Sequence, residues 1–165
     1  MAVALLAAIL ARTYLLRTKP PPDVLLVTAP EDQQDIDIGT VTAVVVKASM
    51  KEILHNQFMR WPSLQQVTVE EGVNAIGDAA FFGCPKLETV VLPDSLQHIR
   101  PYAFGDCFTL REVRCGKGLS DMGQAVFGGC SNLLHVYYDG DAPTAIGSRI
   151  YVRTPTNLPP RLPSA

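Results

Sequence analysis

The sequence has little charge, and neither sign of charge dominates. Only 18% of its residues are charged and the formal net charge is −2, so the chain lacks the basic field that nucleic acids require. It also lacks a long hydrophobic run, because its apolar stretch at residues 2–11 is far shorter than the roughly 20 residues of a membrane-spanning helix. Nucleic acid is therefore excluded as a partner, and any membrane association is limited to residues 2–16.

Motifs that carry chemistry are missing as well. The sequence contains no P-loop, no G-x-S-x-G, no H-E-x-x-H, no paired-carboxylate arrangement and no C-x-x-C. The three histidines occupy unrelated places, so none of them supplies a repeated base for a cysteine nucleophile. We therefore expect no enzymatic activity, no catalytic residue, no cofactor and no metal site.

The N-terminus separates into a basic and an acidic part. Residues 1–22 hold three basic residues and no acid, whereas residues 23–40 hold five acids and no base. The stiff sequence "TKPPPD" joins the two parts. The apolar start fits a docked helix, a plain extension or a targeting sequence. Composition favours a cytoplasmic location, while this start leaves secretion, the cell surface and an organelle open.

A period of 23 residues runs through the rest of the chain. Leucine, valine, phenylalanine and cysteine each return at this interval, and three full copies keep register without a gap. The same register extends back over residues 41–63, where Trp61 takes the place of the cysteine. The recurring residues are Leu64, Leu87, Leu110 and Leu133; Val67, Val90, Val113 and Val136; Phe58, Phe81, Phe104 and Phe127; and Cys84, Cys107 and Cys130.

Each unit opens with L-x-x-V-x-V, an alternation typical of a β-strand. One strand and one tight return cannot bury their own apolar face, so the units must stack. This predicts an α/β-type repeat solenoid that is mostly β, with a parallel sheet and about 4.5 repeats. We expect strands near residues 44–46, 67–69, 90–92, 113–115 and 136–138, and a sixth near 150–152.

The units "LQQVTVEEGVNAIGDAAFFGCPK", "LETVVLPDSLQHIRPYAFGDCFT" and "LREVRCGKGLSDMGQAVFGGCSN" resemble the BspA-type leucine-rich repeats. The resemblance implies the same short leucine-rich solenoid and a role in binding. The predicted organisation is an apolar segment and proline-rich link at 1–22, an acidic cap at 23–40, and a closing strand and tail at 149–165. Between the cap and the tail lie repeats at 41–63, 64–86, 87–109, 110–132 and 133–148.

Residues at equal repeat positions line up in columns. The cysteine column is predicted to be a buried, unmetallated part of the core, or else to hold an incidental disulfide between neighbours. The phenylalanine column forms a spine that Trp61 caps. Because an open solenoid end exposes its apolar cross-section, we expect residues 24–40 to lie against the first repeat, with the "VLLV" of 24–27 as the contact.

Function is left to the outward columns of the sheet. These carry small residues in the N-terminal half and a polar and aromatic cluster on the last two strands, which is the predicted binding surface. The chain is therefore interpreted as a non-enzymatic protein–protein interaction module. A structural subunit or accessory segment of a larger assembly, and an adhesin-like surface protein, remain alternatives. The predicted binding residues are Glu112, Arg114, His135, Tyr137 and Asp139.

Overall fold

A computed structural model describes residues 23–33, 36–141 and 143–148, and there the chain winds as a solenoid with two parallel sheets. The strands are β1 (Val24–Val27), β2 (Ala43–Val46), β3 (Glu52–Ile53), β4 (Gln66–Val69), β5 (Ala75–Ile76), β6 (Thr89–Val91), β7 (His98–Ile99), β8 (Glu112–Cys115), β9 (Asp121–Met122), β10 (His135–Tyr138) and β11 (Ala145–Ile146). The described part holds one short 3-10 helix, Pro30–Gln33.

The first sheet has six strands in the order β1-β2-β4-β6-β8-β10. From β2 onward its register follows the period, so that Val44 pairs with Val67 and Val67 with Val90. These valines face inward and are buried, as β-branched side chains suit a packed parallel sheet. The predicted mostly-β parallel solenoid of 23-residue period is confirmed, including its five repeat strands. The sixth predicted strand, near 150–152, lies outside the described residues.

The second sheet has five strands of two residues each, in the order β11-β9-β7-β5-β3. Ile53, Ile76 and Ile99 stand in register on it and are fully buried, with Met122 next in the column. This sheet was not among the predicted elements, because two residues are too few to display an alternation of apolar and polar positions.

In the return from the second sheet to the first, the backbone amides find hydrogen-bond acceptors in two ways. Some amides bond within the turn, as Phe82 N does to Ala79 O at 3.0 Å, while others reach the next unit, as Phe81 N does to Ala103 O at 2.8 Å. The return also needs left-handed backbone, seen at Ala79 (φ 51°) and Tyr102 (φ 58°). Hydrogen bonds between units thus connect the return side as well as the two sheets.

The phenylalanine column is a stack of nearly parallel rings. Successive centroids lie 5.0, 5.2 and 5.8 Å apart, with interplanar angles of 7°, 1° and 16°. Trp61 meets the first ring edge-on at 5.1 Å and 77°. All four phenylalanines are completely buried, which confirms the predicted spine and its cap. The rings are Phe58, Phe81, Phe104 and Phe127.

The N-terminal end of the first sheet is covered by β1. It pairs in parallel with β2, Val24 opposite Ala43, at an offset of 19 residues instead of 23. Val27 is fully buried, and Leu25 and Ile36 pack against the core. The expected contact of "VLLV" with the first repeat is confirmed, although its form as a sixth strand of the sheet was not foreseen.

Asp32 stabilises the turn that follows β1. Its Oδ2 accepts hydrogen bonds from Thr28 N at 2.5 Å, Thr28 Oγ1 at 2.8 Å and Ala29 N at 2.9 Å. The Thr28 amide above all, then the Ala29 amide and the Thr28 hydroxyl, lower the pKa of the Asp32 carboxyl below its usual value.

We predict that Asp32→Ala lowers the melting temperature at pH 7. Since the folded-state pKa is depressed, the stabilisation is present above the unfolded-state pKa of about 3.9 and is lost as the pH falls through the lower folded-state pKa. The melting-temperature difference from the native chain should therefore be constant between about pH 7 and 5 and shrink below about pH 4. The neighbouring Glu31→Ala is the control, and a pH-independent Asp32→Ala difference would contradict the prediction.

The ring stack predicts a large difference between two phenylalanines four residues apart. Phe104→Ala removes a fully buried ring between two others and should lower the free energy of unfolding by about 3–5 kcal/mol. Phe108→Ala, at an exposed ring, should change it by less than about 0.5 kcal/mol. Urea unfolding followed by circular dichroism measures both, and equal losses would refute a core role for the stack.

Candidate functional site

The outward face of the first sheet brings the five predicted binding residues to its C-terminal end. Glu112 and Arg114 lie on β8, His135 and Tyr137 on β10, and Asp139 follows directly. In the strand register Glu112 stands opposite His135 and Arg114 opposite Tyr137. Alternation along each strand turns these side chains away from the core, while Val113, Cys115, Val136 and Tyr138 point into it.

The guanidinium of Arg114 is held by Asp139. Arg114 Nε lies 3.1 and 3.2 Å from the two carboxylate oxygens, and Nη2 lies 3.0 Å from Oδ1. This contact raises the pKa of Arg114, with its hydrogen bonds as the main cause. The strand register by itself puts the Arg114 side chain next to Tyr137. The structure instead commits one edge to Asp139, since the carboxylate reaches back from the end of the adjacent strand.

His135 lies beside Tyr137 on the same strand. Their ring centroids are 5.5 Å apart, at an interplanar angle of 39°. Among the described residues His135 makes no ion pair with Glu112, although the register puts them side by side. A histidine–carboxylate contact is found in the second sheet instead, where His98 Nδ1 lies 3.6 Å from Asp121 Oδ2.

The N-terminal half of the same face differs in character. Its outward row continues from Val91 through Thr68 and Val45 to Leu26, with small or apolar side chains throughout. Val45 is only 4% exposed although it lies outside the core cluster. At the rim of this half, Lys47 Nζ and Glu70 Oε1 form an ion pair of 2.6 Å.

Two exposed apolar side chains at the same end were missed by the sequence analysis. Leu134 is 53% and Phe108 51% exposed. Leu134 directly precedes β10, whereas Phe108 lies in the turn four residues before β8. The sequence does contain a signal for both residues, because each differs in character from the residues at the same position of the other repeats. Position 134 holds leucine where the preceding units have Gln65, Glu88 and Arg111, and position 108 holds phenylalanine where its neighbours have Pro85 and Ser131.

The comparisons with known proteins agree with this architecture. The model of the BspA type leucine rich repeat region matches residues 38–156 in six copies. The chain belongs to the BspA-type leucine-rich repeat family. No curated protein matches it. Proteins with such repeats are generally protein-interaction or cell-surface modules, and the fold is typically non-enzymatic.

Solved structures of leucine-rich repeat proteins resemble this BspA-type chain over most of its length. The T. pallidum leucine-rich repeat protein is 30% identical, with a TM-score of 0.65 over 82% of this chain and 62% of its own. A leucine-rich cell surface protein from Faecalibacterium prausnitzii is 23% identical, with a TM-score of 0.51 over 69% of this chain and 37% of its own. The chain therefore spans about three fifths or less of these proteins, and the second likeness concerns the fold alone.

The thiols of this BspA-type solenoid serve its core. Cys84, Cys107 and Cys130 are buried and free of disulfides, and each Sγ donates to the carbonyl of the phenylalanine 26 residues earlier, at 3.1, 3.1 and 3.0 Å. Burial raises the pKa of Cys115 and of Cys130 to about 12. Within the described ranges no three histidine, cysteine or acidic residues are placed to hold a metal ion. Those ranges also contain no helix that is long and apolar enough to span a membrane.

We predict that the native thiols do not react with an aromatic disulfide reagent at pH 8. For Cys115 and Cys130 a pKa of about 12 leaves roughly one thiol in ten thousand ionised at that pH, and burial of all four cysteines blocks the reagent. Unfolding in guanidinium should release all four cysteines at once. Absorbance of the released thiolate measures the reaction, and stoichiometric labelling of folded protein within minutes would contradict a core role.

Proposed function

We propose that the chain is a protein-interaction module that binds its partner through the C-terminal end of the outward face of the first sheet. Leucine-rich repeat proteins generally bind other proteins, because a solenoid presents a long regular face. One observation carries the proposal. Large exposed side chains are concentrated on β8 and β10, whereas the central row of the same face carries smaller side chains on the strands before them.

The Arg114–Asp139 pair supports recognition by a hydrogen-bond acceptor on the partner. Asp139 binds Nε and one side of Nη2, which holds the guanidinium in one orientation. Within the described part of the chain no side chain bonds its Nη1 edge. Much of the conformational entropy that a long side chain loses on binding is thus already lost before the partner arrives. A carboxylate or backbone carbonyl fits the open edge, and the Tyr137 hydroxyl adds a second polar contact beside it.

Leu134 and Phe108 add the apolar component that an interface needs. Binding energy is concentrated in aromatic and arginine anchors that become desolvated, with neighbouring contacts excluding water. The exposed Leu134, next to His135, and the exposed Phe108, in the turn before β8, provide apolar area for a partner to cover. The partner is therefore expected to extend over both the sheet and its adjacent corner.

The test compares two variants with the same pair of residue types. Arg114→Ala with Tyr137→Ala should weaken partner binding by about 30-fold or more, equivalent to about 2 kcal/mol. Arg100→Ala with Tyr102→Ala removes an exposed arginine and tyrosine on another side of the solenoid and should leave binding unchanged. The partner is first identified by proximity labelling of the intact chain, and its affinity is measured by surface plasmon resonance.

Equal affinities of the two folded variants would remove this surface from consideration. They would favour the alternative in which the chain is a structural segment of a larger assembly. Such a segment is held by its ends, so neither pair on the sides of the solenoid would matter.

A further inference from the structure

The cysteine column places three thiols side by side in consecutive units. Cys84, Cys107 and Cys130 are buried and free of disulfides. Equivalent residues in a parallel stack lie about 4.8 Å apart, and a disulfide needs Cα atoms that are about 4.4–6.8 Å apart. The backbone spacing of the solenoid therefore already suits a disulfide between neighbouring units.

The units of Cys84 and Cys107 are the closer of the two pairs. The phenylalanine rings three residues before these cysteines, Phe81 and Phe104, have centroids 5.2 Å apart, whereas the next pair of rings is 5.8 Å apart. Cys107 Sγ reaches into the unit of Cys84, where it lies 3.1 Å from Phe81 O. The thiols of Cys84 and Cys107 are also within hydrogen-bond reach of each other.

This contact makes the two thiols chemically different. As a hydrogen-bond donor to the thiolate, the Cys107 thiol lowers the pKa of Cys84 below that of an ordinary thiol. The same contact, together with burial, raises the pKa of Cys107. Burial raises the pKa of Cys130 to about 12. Cys84 therefore has the largest thiolate fraction in the column, and the thiolate is the form that reacts with oxidants.

We propose that Cys84 and Cys107 form a dithiol that hydrogen peroxide oxidises to a disulfide in the folded chain. The Cys84 thiolate attacks one peroxide oxygen and the O–O bond breaks, which leaves a sulfenic acid and a hydroxide. The hydroxide takes up the proton that Cys84 had released. Cys107 sulfur then attacks the sulfenic sulfur, and the hydroxyl group leaves with the Cys107 proton. Two thiols and one peroxide thus become one disulfide and two waters.

The position of Cys84 favours a small oxidant over a large reagent. Cys84 lies between the half-buried Gly83 and the exposed Pro85, so its thiol is one residue beneath the surface of the return. Gly83 adds no side chain above the thiol, and the side chain nearest to it is that of the exposed Arg60. Hydrogen peroxide is little larger than water, whereas an aromatic disulfide is too large to enter without opening the return.

Oxidation replaces two hydrogen bonds with one covalent link between the second and third repeats. Each sulfur loses the proton that it donates, from Cys84 to Phe58 O and from Cys107 to Phe81 O. The link lies behind the return, in the core. The inference is therefore independent of the partner surface proposed on β8 and β10.

Peroxide treatment of the reduced full chain near neutral pH tests the proposal. The remaining thiols are alkylated in guanidinium, and tryptic peptides are analysed by mass spectrometry without reduction. Trypsin puts the four cysteines in different peptides, since lysine or arginine residues lie between them. We expect one disulfide, between the peptides of Cys84 and Cys107, with Cys115 and Cys130 alkylated. A folded chain that forms no disulfide, or that links Cys115 or Cys130 instead, would overturn the proposal.

Two alanine variants are matched controls, because each removes a fully buried thiol from the same column. With Cys130→Ala the disulfide should form within about twofold of the native rate, and with Cys84→Ala thiol loss should be at least about tenfold slower. Equal rates in the two variants would show that Cys84 is not the attacking thiol. Circular dichroism checks that both variants fold, and where one does not, the peptide map of the native chain decides.

Discussion

The spacing of parallel strands constrains every other feature of this solenoid. Units that repeat at about 4.8 Å bring equivalent side chains into van der Waals contact, and four phenylalanines use this spacing as a stack with centroids 5.0–5.8 Å apart. Each thiol that bonds to the carbonyl of an earlier phenylalanine, as Cys107 does to Phe81, ties the stack to the return. A residue of another size at one of these positions would disturb the units on both sides, which is why the period is kept so strictly.

The same constraint explains which parts of the fold were predictable. A buried side chain and its equivalents share one environment, so the sequence repeats them, and the five strands, the ring stack and the buried cysteines follow from the period. β1 could not be found in this way, because it pairs with β2 at an offset of 19 residues. The second sheet was missed for a different reason, since its two-residue strands are too short to show an alternation of apolar and polar positions.

Prediction of the candidate site was less complete, because surface columns are free to vary. The alternation of each strand sufficed to put Glu112, Arg114, His135 and Tyr137 on one face. It did not give the pairing of Arg114 with Asp139. That pairing depends on side-chain rotamers and on how far the carboxylate reaches from the end of β10 toward β8. Exposed residues such as Leu134 escape any periodic argument for the same reason.

These irregularities locate function in a repeat protein better than its regularities do. Where a column stays uniform, the uniformity is accounted for by packing between units and carries no information about a ligand. Where the column changes, as from Val91 to Arg114 or from Arg111 to Leu134, packing of the core does not require the change. Along its central row the face of the first sheet changes between β6 and β8, where Val91 stands opposite Arg114. It is on this ground that we propose the part with the large side chains, on β8 and β10, as the one that binds a partner.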